Sequence, residues 1–297
     1  MRILISSHYS LLHSIDAAEP QLVDLNTLIG RWHPERIRRI DRYIQLCVAG
    51  GLNCVAGRSL PADTGVYLST NSGAISTPSA TMRHIQQQGE LPKPLHFVNT
   101  LSNSAGYYLT RLLQLNGNTV MVSDSETSFE AALLHAGMDL LAGRISTALV
   151  GAFDDIAMPI AHQLERMQAP ADTTSVYEGS HWLLLERDSN DLPQAQRQAV
   201  GLPCYLNGAE QLAQWLTEHP GLPVQLSFSP NAPERELLAN CRWQQFVGHA
   251  LPHGVFSGAA LTALVAAGQA GIHLSRKAGG QYCAVVVSLA GSPEPNA

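Results

Sequence analysis

Hydrophobic and polar positions along this chain follow two rhythms in alternation. The first residues, "RILIS" at 2–6, form a short apolar run that predicts a strand. From 36 to 57, "RIRRIDRYIQLCVAGGLNCVAG", apolar residues recur at spacings of three and four, which predicts an amphipathic helix. "TGVYLST" at 64–70 predicts a strand ending in a Gly/Ser turn, followed by a helix over 78–88. The stretch 96–117 starts polar and turns helical from about Ser104, with Gly117 as its expected C-cap. "NTVMVSD" at 118–124 and "STALVGAFDD" at 146–155 predict strands around an Ala- and Leu-rich helix, Ala131 to Ala142. "SHWLLLERD" at 180–188 predicts a strand whose poor alternation implies that both faces are buried.

Residues 187–200 are polar, contain Pro193 and predict a surface link. Beyond it come a strand ("PVQLSFS"), a helix ("ERELLANCRWQQFVG"), a small-residue helix from 257 and a closing strand over 282–290. The final "GSPEPNA" is expected to fray. Alternating strands and helices imply an α/β fold of sheets covered by helices on both sides. The expected division is an N-terminal half at 1–186, a link at 187–203 and a shorter C-terminal half at 204–297.

Composition narrows the function classes. The chain has 297 residues, a net charge of −6 and only 14% charged residues. The acidic balance gives nucleic-acid binding no electrostatic support. So few charges, against a usual share of about 25%, suggest that a partner covers part of the surface. The five scattered cysteines contain no CxxC pair and predict reduced thiols, with neither a disulfide framework nor a zinc site. The N-terminus lacks the regions of a signal peptide. The run at 254–272 reads as a packed internal helix and not a membrane span. The expected setting is cytoplasmic, with no cofactor and no metal.

The candidate chemistry lies in "MVSDSETSFE", 121–130. An apolar strand end, small polar residues and a following helix give the shape of a nucleophile turn, yet Glu126 stands at its centre. A carboxylate there caps the helix favourably, by up to about 1 kcal/mol. Asp154 and Asp155 follow a strand, and their side chains are expected to point opposite ways in a loop role. Asp41 and Arg42 open a helix and are expected to form an ion pair across an interface. His249 and His253 read as ordinary histidines and not metal ligands.

Five segments in order resemble the β-ketoacyl synthases of the thiolase fold. They are "RRIDRYIQLCVAGGLNCVAG", "GVYLSTNSG", the stretch from "VNTLSNSAGYYL" to "LVGAFDD", "YEGSHWLLLE" and the small-residue helix "SGAALTAL". The resemblance implies a layered fold of two related strand–helix halves, the second shortened. In active members the turn carries a cysteine that holds the acyl chain as a thioester, and two histidines stabilise the enolate. The resemblance places Glu126 at the cysteine's position. The nearest match to the first histidine segment, "QLSFSPNAPERE", has no histidine, and His253 sits one or two residues out of register for the second.

That pattern is similar to chain-length factors, the nucleophile-less partners of ketosynthases in type II polyketide and aryl-polyene systems. It implies a heterodimer or heterotetramer with an active ketosynthase, served by an acyl carrier protein bearing the growing chain. The strand with Val120 and Val122, and Asp124 after it, is then the interface. Ile75, Met82 and Val98, in the region 74–98, are the candidate tunnel residues. A stand-alone malonyl-thioester decarboxylase using Glu126 is the alternative, or an acyl-thioester enzyme with Ser123, Ser125 or Ser128 as nucleophile. A homodimeric acyl-binding protein is a third reading.

Overall fold

The computed structural model describes residues 2–89, 91, 94–188, 197–246 and 255–289. The first half runs β1 (Ile3–Asp16), α1 (Leu25–Gly30), α2 (Arg42–Val55), β2 (Gly65–Ser69), α3 (Ser76–Gln88), α4 (Pro94–Val98), α5 (Ser104–Leu113), β3 (Thr119–Val122), α6 (Ser128–Leu141), β4 (Thr147–Asp154), α7 (Ile160–Arg166) and β5 (Ser175–Arg187). The second runs β6 (Gln198–Val200), β7 (Cys204–Asn207), α8 (Ala209–Glu218), β8 (Val224–Leu226), α9 (Ala232–Leu237), β9 (Trp243–Gln245), α10 (Val255–Ala266), β10 (Gly271–Arg276) and β11 (Gln281–Leu289).

The strands follow one hydrogen-bonded path, β3-β2-β4-β5-β1-β6-β11-β10-β8-β9, with β7 pairing β11. The path has the same plan read from either end. β3, β2 and β4 are parallel neighbours, then β5 and β1 pair antiparallel. β9, β8 and β10 are likewise parallel, then β11 and β6 pair antiparallel. Chain order matches too, so the two halves repeat one topology, with shorter strands in the second. They join where Leu4 pairs Ala199 and Ile5 pairs Gln198. Part of the expected link, residues 198–200, is therefore a sheet strand.

Burial resolves five layers. α1, α2 and α5 pack on one face of the first sheet half, burying Leu46, Leu109, Trp182 and Leu184. α6 and α10 lie between the halves with Phe129, Leu183, Leu261, Val285 and Val287. α8 and α9 cover the far face with Leu212, Leu238, Leu274 and Ala284. Along β5, Trp182 and Leu184 face one way and Leu183 and Leu185 the other, which is why its alternation is lost. α10 is buried all round because it is the inner layer. α2 approaches β5 so closely that a Cβ on Gly50 would lie 2.1 Å from the Trp182 indole nitrogen.

Several expectations need correction. β1 is far longer than 2–6 and pairs β5 from Ile3↔Arg187 to Asp16↔Ser175. The helix expected over 36–57 begins only at Arg42, where Asp41 accepts from the Ile44 N–H, and stops at Ala56 in the left-handed region. α5 ends at Gln114 (φ 55°), not at Gly117. Gly117 instead lies against the Thr64 carbonyl, 2.3 Å from where a Cβ would stand. The helix expected over 234–248 ends at Leu237 and gives way to β9. The run at 254–272 divides into α10 and the start of β10, with Gly268 at φ 65° between them. Within the chain Asp41 and Arg42 do not pair with each other. Arg42 Nε donates to Glu178 (2.7 Å), and Asp41 also accepts from Thr77. His249, His253, Pro193 and "GSPEPNA" lie outside the described residues.

Candidate functional site

β3 is the edge of the first sheet half, paired to β2 on one side. Val120 and Val122 on it are half-buried. After Val122 the chain makes a tight turn: Ser125 has φ 52°, and a single 3-10 turn, Ser125–Thr127, leads into α6. A non-glycine residue with positive φ is unusual and marks a constrained backbone. The constraint comes from the turn's own polar groups. Ser128 Oγ accepts from the Asp124 N–H (2.7 Å) and donates to the Ser125 carbonyl (2.7 Å). Thr127 Oγ1 donates to Asp124 Oδ2 (2.8 Å), and Lys277 Nζ, from just beyond β10, pairs with Asp124 Oδ1 (2.6 Å).

Glu126 sits half-buried in this turn, with Oε2 shielded and lacking a hydrogen-bond partner. Its turn begins a helix whose buried stripe, Phe129, Ala132, Leu133, Ala136, Gly137 and Leu140, anchors it to the sheet. One helical turn below lies a group that pattern reading missed. Glu130 is fully buried and accepts from Ser257 Oγ (2.6 Å) and His273 Nε2 (2.7 Å). Ser257 comes from α10 and His273 from β10, so this cluster ties the two halves together. Burial pushes the Glu130 carboxyl up, but the bonds from His273 and Ser257 outweigh it and hold it below the usual glutamate value. The local signals were a charged residue in an apolar helix and a histidine inside the apolar strand "GIHLSR".

Residue types alone suggest a Ser–His–acid relay, but the geometry is not one. In a working relay the imidazole stands between hydroxyl and carboxylate. Here Glu130 Oε1 takes both donors, Ser257 is 3.4 Å from His273 Nε2, and all three are sealed from solvent. His181, also fully buried, bonds Ser10 (2.8 Å). Among the described residues, no histidine hydrogen-bonds Ser123, Ser125 or Ser128. Met82 and Val98 are exposed and Ile75 is half-buried at the start of α3. Among the described residues there is no cluster of three potential metal ligands, and no helix is long and apolar enough to cross a membrane.

Two halves that share a five-strand plan, with paired inner helices and a constrained turn on α6, define the thiolase-like fold of the ketosynthases. The chain is similar over 98% of its length to the ishigamide ketosynthase/chain length factor, covering 100% of that chain at 15% identity and a TM-score of 0.71. It is also similar to the ketosynthase of a type II polyketide synthase solved with its acyl-carrier protein, AntDE:AntF (97% and 99% covered, 13% identity, TM-score 0.72). A β-ketoacyl synthase from Burkholderia phymatum has the same fold (97% and 99%, 12% identity, TM-score 0.67). No family model and no curated protein matches the chain.

Proposed function

We propose that this chain is a non-catalytic subunit of the chain-length-factor type, which pairs with an active ketosynthase and shapes the space for a chain grown on an acyl carrier protein. The observation that carries the reading is Glu126 in the turn. A carboxylate in that position cannot hold an acyl chain as a cysteine thioester does. The groups behind it, Glu130, Ser257 and His273, are buried and engaged with one another. The stand-alone decarboxylase would need donors for the enolate, and neither His181 nor His273 is open to a substrate.

Pairing is supported by the edge. Among the described residues β3 ends the sheet without a neighbour on its outer side, and Met82, Phe97, Val98, Leu101 and Tyr107 are exposed large apolar side chains of α3, α5 and the segment between them. In this reading Val120, Val122 and Asp124 meet the partner, and Ile75, Met82 and Val98 border its acyl tunnel. A carrier protein is supported by charge. In a chain of net charge −6, Arg36, Arg38 and Arg39 are exposed without an acidic partner among the described residues. They line a depression of about 590 Å³ with Glu35, Asn26 and Gln45. Such a patch suits an acidic protein bearing a phosphate-linked arm.

Native mass spectrometry of the chain co-expressed with a candidate ketosynthase and carrier protein tests the reading. The expected result is a one-to-one complex acylated on the partner's cysteine alone. A homodimer that turns over malonyl-carrier protein, and stops when Glu126→Ala is introduced, would sink it. Reversing the patch with Arg36→Glu and Arg38→Glu should weaken carrier binding about tenfold and leave subunit pairing intact.

A further inference from the structure

α3 has no buried residue from Ser76 to Gln88. A helix with so little apolar anchorage depends on the contacts at its ends. Its first turn makes them: Ser76 Oγ donates to Asp155 and Thr77 Oγ1 donates to Asp41. The Ile75 N–H, at the N-cap, donates to the Gly73 carbonyl (2.8 Å). Asp155 directly follows β4, is 1% exposed, and has one oxygen, Oδ1, without a hydrogen-bond partner.

The charged groups facing Asp155 are Asp154, its neighbour on β4, and Asp41 from the start of α2. The Tyr43 phenol of α2 is fully buried and feels the charge of Asp154. Asp154 accepts from Thr70 Oγ1 (2.5 Å) and from the N–H groups of Asn71 (3.0 Å) and Ser72 (2.9 Å), fixing the turn that leads to α3. Three carboxyls thus converge on one end of α3. Burial, reinforced by the two neighbouring carboxylates, pushes the Asp155 carboxyl up to about 7, although Ser76 opposes the shift.

We infer that Asp155 is a proton-dependent clasp for α3. Uncharged, it seats the first turn of the helix between β4 and α2. Ionised, it becomes a third carboxylate in a buried pocket with one oxygen lacking a donor. Water must then enter, and the first turn of α3 opens to admit it. The inference concerns this chain alone and does not rest on the partner reading.

Hydrogen exchange of the full chain at about pH 6 and about pH 8.5, corrected for intrinsic rates, tests it. Protection of amides in 76–88 should fall roughly fivefold or more at the higher pH, while α2 holds its protection. In Asp155→Asn, which keeps the shape of the uncharged form, protection should stay at the low-pH level throughout. A flat wild-type profile, or an Asp155→Asn chain that keeps the pH dependence, overturns the clasp. Ser76→Ala provides a second reading should the first variant fail to fold. It should lower α3 protection at about pH 6 to the level the wild type reaches at about pH 8.5, and unchanged protection overturns the inference.

Discussion

Two carboxyls of this molecule are almost equally inaccessible and have opposite characters. Glu130 lies between the sheet halves with His273 and Ser257 on one oxygen, and it is held below the usual glutamate value. Asp155 lies at the outer end of β4 among carboxylates, and it is pushed up to about 7. Burial penalises the charged form in both places, so the neighbours decide the outcome. The lesson concerns pH. Glu130 contributes stability that is present above its ordinary value of 4.5 and lost as pH falls below it. Asp155 contributes stability that is complete below its ordinary value of 3.8 and lost as pH rises through about 7. The fold is therefore loosened from the inside by acid and from the rim by base.

Removing the histidine partner should abolish the contrast. His273→Ala leaves Glu130 buried without its main donor and should cost about 3–5 kcal/mol in denaturant unfolding near neutral pH. A loss below about 1 kcal/mol would mean that Ser257 alone satisfies the carboxyl. At the other site, Asp155→Asn should be close to neutral near pH 4 and stabilising by about 2–4 kcal/mol near pH 8. A constant difference across that range would mean that Asp155 does not titrate there. The smallest effect belongs to a pair that water already screens. Lys277→Ala breaks a partly exposed bond to Asp124 and should cost about 0.5 kcal/mol, less in high salt. A cost several times larger would show the turn to be held mainly from the second half.

Much of the fold was legible where apolar runs are bounded by small residues. β2 and β4 are buried on both faces, and Gly and Ser mark their ends, so "GVYLS" and "TALVGAFD" read directly as strands. β1 hid its length because Ser7 to Leu12 are half exposed and carry a mixed pattern. β9 was mistaken for helix because an edge strand with exposed Trp243 and Gln244 has little apolar signature. The repeated topology left no repeat in sequence, since corresponding strands need only be apolar on the right faces. Glu126 was legible as a turn residue, and its assignment to the nucleophile's position rests on resemblance alone. The Glu130–Ser257–His273 cluster was not legible, because its members come from distant segments that meet only when α6 and α10 pack together. Asp154 and Asp155 were read as a loop pair with opposed side chains. Both are buried, and both hold the approach to α3.

The long pairing of β1 with β5 governs the order in which the molecule can assemble during synthesis. Ile3 must wait for Arg187, and Asp16 for Ser175, before either finds its place. β2, β3 and β4 are closer in sequence and can associate earlier, with α6 laid over them. Until β5 emerges, β1 is an unpaired strand on a nascent chain, with Ile3, Leu4 and Ile5 open to solvent. Because β6 docks on β1, the second half has no seat until that strand is in place. Late closure by a long-range pairing leaves an aggregation-prone interval on the ribosome, the period in which a chaperone has most to protect.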